Sequence, residues 1–478
     1  MKRYIKADDR KRHVYLSGKT QFGKTTTMLA MALQDITNGD GVCFIDAKGK
    51  DIPKLVNSIP DWRKKDCIYL DLKNPIPMDF MACENDDEVA DLISDILEIF
   101  NRMEDGLGIR MDAIIRFTVL SLHLIGGTFL DIYNVITDES YRSLIRTHPK
   151  IKSNPVLSKF WGQQAEKLMK GESGVGIAIS RMGRFVTSEA FQIILGTPRH
   201  AVTTMLDIAK AIEDKKVILV RLKPRSDEGM FYGSLIVSKI QQAIFRREDS
   251  KRKHPPFMLY VDEFQQFKSS GFDDILSMGG GLGLCLTLAN QYLTQLDTNI
   301  EAAIIGCVST FFLFNQDPSN AGKLAGILRE PQALSHIEKI RELKKTLRDL
   351  NESKRFWDNI DEGYNQQAEV RQSIENCEYD IDYLERRQKE KPLTFLQQLP
   401  DLPIGKAVYR AADGTTVIIN TPKPLQPAKD IKQEIIDGTV ARYGKKRTVD
   451  KSPSNSPQNP HTKGNGIDYD TIEPLDPS

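Results

Sequence analysis

The sequence predicts an α/β protein: a mostly parallel sheet flanked by helices, with an all-helical insertion and a helical arm toward the C-terminal end. Three observations predict it. Short apolar runs recur between helical stretches, at Val14–Leu16, Gly41–Ile45, Cys67–Leu70, Lys216–Leu222, Phe257–Val261, Leu284–Leu288 and Thr310–Phe314. Strands covered on both faces read as such continuous runs rather than as alternation. From residue 84 to about 205 strand-like runs vanish, and Val89, Leu92, Ile93, Ile96, Leu97 and Phe100 fall at helical spacing. From His336 to Lys391 the pattern is helical and charged, with Leu343, Leu350, Trp357 and Tyr364 seven residues apart.

Composition narrows the class. At 478 residues, with 40% hydrophobic and 27% charged residues, the chain describes a soluble globular protein of two or three folded units. Six cysteines without a Cys-x-x-Cys pair and seven dispersed histidines exclude a disulfide scaffold and a zinc cluster, and point to a reducing cytosol. No run approaches the roughly 18 apolar residues of a spanning helix, and the basic N-terminus lacks the apolar core of a signal peptide. A cytoplasmic location is expected, with any membrane reached through a partner.

The first strand leads straight into Gly18-Lys-Thr-Gln-Phe-Gly-Lys-Thr25, the Gly-x-x-x-x-Gly-Lys-Thr spacing, and Thr25 to Leu33 continue as a helix. Gly18 and Gly23 let the backbone curl until successive N–H groups face an anion, and the helix adds its positive end there. Gly18, Lys19, Thr20, Gln21, Phe22, Gly23, Lys24, Thr25 and Thr26 are therefore expected to bind a nucleoside triphosphate. Lys24 reaches the β- and γ-phosphates, and the Thr25 hydroxyl holds Mg²⁺. The fold class becomes that of a P-loop NTPase, RecA-like.

Further along, the insertion is unevenly charged. Between Tyr141 and Arg184 stand Arg142, Arg146, Lys150, Lys152, Lys159, Lys167, Lys170, Arg181 and Arg184 against Glu166 and Glu172, in a chain whose net charge is +1. The stretch is either a solvated surface or a contact for a DNA backbone. Phe257-Met-Leu-Tyr-Val-Asp262-Glu263 is an apolar strand ending in two carboxylates, the Walker B form. Asp262 is expected to hold Mg²⁺ and Glu263 to activate the attacking water. Gln291, after the next strand, either senses the γ-phosphate and water or simply caps the strand end. The segment from His336 to Lys391 is either an antiparallel hairpin arm or a plain amphipathic helix on the core. Ala407–Arg410 and Thr415–Asn420, split by Ala412-Asp-Gly, predict a terminal hairpin. Beyond Gly444, Ser, Pro, Asn and Lys dominate, a composition that predicts disorder. The expected division is a motor domain in two parts (1–83 and 206–335), an insertion (84–205), an arm (336–392), a closing hairpin (393–443) and a tail (444–478).

Together these residues resemble the type IV coupling proteins of conjugation, TraG/TraD-type, within the FtsK–HerA group of DNA-pumping ATPases. The likeness is carried by Gly18–Thr25, Gly41–Gly49, Ile68–Phe80, Gly127–Asp138, Arg181–Phe185, Lys216–Leu222, Val261–Phe267 and Gly283–Leu296. It implies ATP and Mg²⁺ as cofactors, an insertion facing DNA, a homo-oligomeric ring of six subunits, and hydrolysis driving DNA translocation toward a type IV secretion machinery with a relaxase as partner. Two features depart from that pattern. Membrane helices usually open such chains, and none is read in this sequence; and Met278-Gly-Gly-Gly-Leu282 stands where a basic residue is often found. The arginine finger is then expected from Arg184 or Arg181. A HerA-like or packaging motor without a secretion channel, and an ATP-switched docking scaffold, are the alternatives; the scaffold needs neither Glu263 nor Gln291.

Overall fold

The computed structural model describes residues 5–444 except 104–108, 170–175, 177–178, 180–181, 249, 251–252, 268–270, 318–319, 329–330, 359–363, 390–393 and 428–429. Nine strands form one sheet: β1 Val14–Ser17, β2 Gly41–Asp46, β3 Cys67–Leu70, β4 Val217–Arg221, β5 Phe257–Asp262, β6 Leu284–Asn290, β7 Thr310–Leu313, β8 Lys406–Arg410 and β9 Thr416–Asn420. Their spatial order is β3-β4-β2-β5-β6-β1-β7-β8-β9. The first seven in that order run parallel, and the β8–β9 hairpin is added antiparallel to β7. All seven predicted parallel strands form, each within two residues of its expected ends, and so do both strands of the predicted hairpin.

Because each parallel strand alternates its side chains between two covered faces, the sheet separates two cores. On one face Val14, Leu16, Val42, Phe44, Leu219 and Tyr260 pack against Met28, Leu29, Ala32 and Ile36 of helix α1, Lys24–Asn38. On the other face Ile45, Leu70, Val220, Val261 and Leu288 share one buried cluster with the helices between β3 and β4. The two longest of these are α2 (Asp86–Met103) and α3 (Ile109–Ile125). Helix α4, Asp227–Phe245, joins them in the same cluster and packs against α2. Trp161 anchors the outer helices by donating Nε1–H to Ser121 Oγ at 2.7 Å, while Phe160 stacks on Phe117.

Of the two readings of the charged segment, the structure adopts the hairpin. Helices α5 (Pro331–Trp357) and α6 (Tyr364–Lys389) pack on each other. Their links are Cys377 Sγ to Leu343 O, Lys344 to Glu385 and Arg371 to Asp358, a pairing that runs antiparallel. One element has no counterpart in the sequence reading. After β9 the chain passes through a proline-bearing stretch, Thr421 to Pro427, and ends its described course in helix α7, Lys432–Tyr443. That helix lies against β3, at the opposite edge of the sheet from β9. Ile435 and Ile436 are buried, the Thr439 hydroxyl accepts the Tyr69 N–H at 3.0 Å, and Lys64 pairs with Glu434. Its apolar residues are too few and too mixed with charge for the pattern to stand out.

Among the described residues no helix is long and apolar enough to cross a membrane. The tail from 445 onward lies outside the described residues.

Candidate active site

The loop between β1 and α1 is shaped by residues with positive φ: Gly18 (151°), Gln21 (69°) and Gly23 (118°). A Cβ on Gly18 would stand 2.6 Å from Phe314 Cβ, so glycine is required there for close approach as well as for conformation. The Lys19 N–H is tied to Asn315 O at 2.8 Å, which pins the loop to the end of β7. Helix α1 begins at Lys24 rather than Thr25 and runs on to Asn38, where Gly39 in the left-handed region ends it. The buried Lys24 ammonium folds back on Gly18 O and Lys19 O. Burial holds its pKa down to about 8, against the pull of Glu263 and Asp262.

Strand β6 lies between β1 and β5, so three adjacent strand ends deliver the remaining groups. The Thr25 hydroxyl donates to Asp262 Oδ2 at 2.9 Å. Glu263, in the left-handed region at φ 51°, turns its carboxylate back over the site, a strained conformation for a non-glycine residue. Gln291 Nε2 lies 3.4 Å from Glu263 Oε1, and its carbonyl accepts from Ser17 Oγ. The structure thus brings Lys24, Thr25, Asp262, Glu263 and Gln291 together. Asp262 is fully buried, and burial pushes its pKa up to about 6 even though Lys48 and Thr25 favour the anion. For Glu263 burial acts the same way but is overcome: hydrogen bonds from Lys48 and Gln265, with the charges of Lys48 and Lys24, hold it below the usual carboxylate range.

Lys48 is the residue that sequence reasoning missed. Its Nζ lies 2.6 Å from Glu263 Oε1 and 3.8 Å from Asp262 Oδ2. Asp46 puts it there. Its Oδ1 accepts the N–H groups of Lys48 (3.0 Å) and Gly49 (2.8 Å), and its Oδ2 those of Asp51 (2.7 Å) and Ile52 (3.0 Å). The signal was present as Asp46-Ala-Lys-Gly49 at a strand end, but the decisive fact, Asp46 in register with Asp262, is a property of the sheet.

Other expectations land elsewhere. Arg184 is bound to Asp227 at the start of α4, and Arg181 lies outside the described residues. Arg142, counted among the DNA-facing charges, is committed to the fold: it pairs with Glu166 at 2.8 Å and donates to the carbonyls of Val135 and Ile136. Arg146, Lys150, Lys152, Lys159 and Lys167 lie toward the surface. The glycines at 279–281 sit before β6, at the end of the sheet opposite the phosphate loop. A Cβ on Gly280 would stand 2.1 Å from Lys11 O, which leaves no room there for a basic side chain.

A hydroxyl beside a carboxylate is a hard oxygen pair, the donor chemistry magnesium takes from a protein when phosphates supply the rest. Among the described residues no group of three or more His, Cys, Asp or Glu forms a metal cage of its own.

No protein-family model and no curated protein sequence matches the chain. Solved structures do. The plasmid coupling protein TrwB in complex with the non-hydrolysable GTP analogue GDPNP is 13% identical, with a TM-score of 0.55 over 89% of this chain and 89% of that one. The chain shares its fold with that structure. A trigonal form of TrwBdeltaN70 with sulphate gives 13% identity and a TM-score of 0.52, over 88% of this chain and 89% of that chain. VirB4 of Thermoanaerobacter pseudethanolicus stands at 13% and 0.49, over 86% and 89%. What is shared with TrwB is a mostly parallel sheet flanked by helices.

Proposed function

We propose that this chain is an ATPase that moves DNA, acting as a homo-oligomeric ring of six subunits and delivering a DNA substrate to a type IV secretion machinery. The observation that carries the reading is the meeting of Thr25 with Asp262 and of Glu263 with Gln291 at the mouth of the Gly18–Thr25 loop. Lys24 engages the phosphates, and Thr25 with Asp262 holds Mg²⁺. Glu263 is kept ionised by its neighbours and can accept a proton from an attacking water that Gln291 helps to place. The GTP analogue in the TrwB complex supports nucleotide binding on this fold. Residues 1–83 and 206–335 form the motor, 84–205 a DNA-facing insertion, 336–392 an arm and 393–443 the closing segment. The surface lysines of the insertion bind the DNA backbone, and recruitment to the membrane and to a relaxase passes through partner proteins.

Nucleotide-binding and turnover assays test the assignment. Lys24→Ala is expected to lose ATP binding. Glu263→Gln is expected to keep ATP but slow hydrolysis by about 10²- to 10⁴-fold; near-normal turnover in that variant would remove Glu263 from the mechanism. For DNA, Lys150, Lys152 and Lys159 changed to Gln should flatten the plot of log K against log salt by about 0.9 for each phosphate that is no longer neutralised. An unchanged slope returns the stretch to ordinary surface. Arg184 is the finger candidate within the described residues: Arg184→Ala chains, inactive alone, should regain turnover when mixed with Lys24→Ala chains.

A further inference from the structure

Asp262 and Glu263 are adjacent in sequence, and each is 1% exposed. Two carboxylates in so little water cannot both carry charge without a cation beside them. The fold supplies one. Four amides converge on Asp46, and the turn they build sets the Lys48 ammonium against both acids. Gly49 is part of the device: at φ 66° its Cβ position lies 2.5 Å from Leu222 O, and Arg221 Nε donates to its carbonyl at 2.7 Å. Lys24, the other ammonium in the site, is occupied by the loop carbonyls.

We propose that Lys48 is a built-in surrogate for the divalent cation: it neutralises the Asp262–Glu263 pair while the site holds no metal, yields Asp262 when the metal arrives, and retains Glu263. The distances are asymmetric in the sense this requires. Lys48 meets Glu263 in a direct hydrogen bond at 2.6 Å, whereas Asp262 Oδ2, at 3.8 Å, already accepts from Thr25. The ammonium can therefore leave Asp262 without breaking a hydrogen bond. Its side chain is 35% exposed, enough to move within the site. Lys48 is in this sense a positioning residue for Glu263. The inference rests on the ATPase reading for the place where the metal binds, but its charge argument concerns the nucleotide-free protein.

The test uses thermal melting of the full chain without nucleotide, in EDTA and in millimolar MgCl₂. Wild type should melt at nearly the same temperature in both, because its acids already have a cation. Lys48→Met keeps the length and removes the charge; its midpoint should fall by about 3 °C in EDTA and return toward wild type in MgCl₂. Lys48→Arg should behave as wild type, and Glu263→Gln should abolish the EDTA penalty of Lys48→Met. If Lys48→Met melts with wild type in EDTA, or melts low and is not restored by magnesium, the proposal is overturned. A wild-type chain without ATPase activity would overturn the functional reading and leave this experiment intact.

Discussion

Replacing Asp46 by Asn keeps size and shape but changes what the turn after β2 can bind. In the native protein both carboxylate oxygens accept two backbone N–H groups, and the side chain is fully buried. Asparagine keeps one oxygen, so whichever way its amide faces, an NH₂ group meets two amide donors. Hydrogen bonds to a charged acceptor contribute about 1.5–3 kcal/mol each, so losing two costs about 3–6 kcal/mol. Against this, burial holds the Asp46 carboxyl above its ordinary range even with its backbone donors, and the neutral amide escapes part of that penalty. The low end, about 3 kcal/mol, is therefore expected, which corresponds to about 3 °C in melting temperature for a chain of this size. Lys48 should drift from Glu263 at the same time, lowering ATP turnover at least about tenfold. Circular-dichroism melts at pH 7 and a turnover assay measure both. An Asp46→Asn chain that melts within about 1 °C of wild type would show that the four amides are satisfied by other means, and the account of how Lys48 is placed would fail.

Three further outcomes are expected. Lys24 is held near pKa 8 by burial, so above that pH the nucleotide-free protein has lost a proton the phosphates require. ATP affinity should then fall as pH rises through 8, with proton uptake on binding visible by calorimetry in buffers of different ionisation heat; Lys24→Arg should show no uptake. Gly280→Ala places a methyl 2.1 Å from the Lys11 carbonyl and should cost about 3 kcal/mol in a denaturant titration, while Gly281→Ala, whose nearest neighbour is 3.5 Å away, should cost far less. Ending the chain at Gly444 should leave melting and hydrolysis unchanged, whereas ending it at Asn420 should lower the melting temperature and promote aggregation; an Asn420 truncation as stable as the full chain would refute the role given to α7.

The phosphate loop and the Asp262–Glu263 pair were legible because local backbone chemistry fixes them: a glycine-bounded turn before a helix, and an apolar strand ending in acids. The seven parallel strands were legible for a similar reason, since burial on both faces leaves an uninterrupted apolar run such as Val217 to Val220. What escaped depends on neighbours far apart in sequence. Lys48 faces Glu263 because β2 lies beside β5, and Arg142 looks like a free surface charge until Glu166 comes round to meet it. Helix α7 escaped because its buried face rests on Ile435, Ile436 and Thr439, and a threonine gives no sign in sequence that it will receive the Tyr69 amide.

Helix α7 also carries a consequence for how the chain is made. Strand β3 leaves the ribosome well before the helix that covers its outer edge, which is encoded more than 360 residues later. Until synthesis reaches Tyr443, the Tyr69 amide lacks its threonine partner, and an apolar edge strand stands open to neighbouring nascent chains on the same message. Slow or paused translation between β9 and α7 would lengthen that exposure. The yield of native protein should therefore depend on elongation rate over the codons for residues 421–443 and on chaperone supply, even for variants whose finished fold is fully stable.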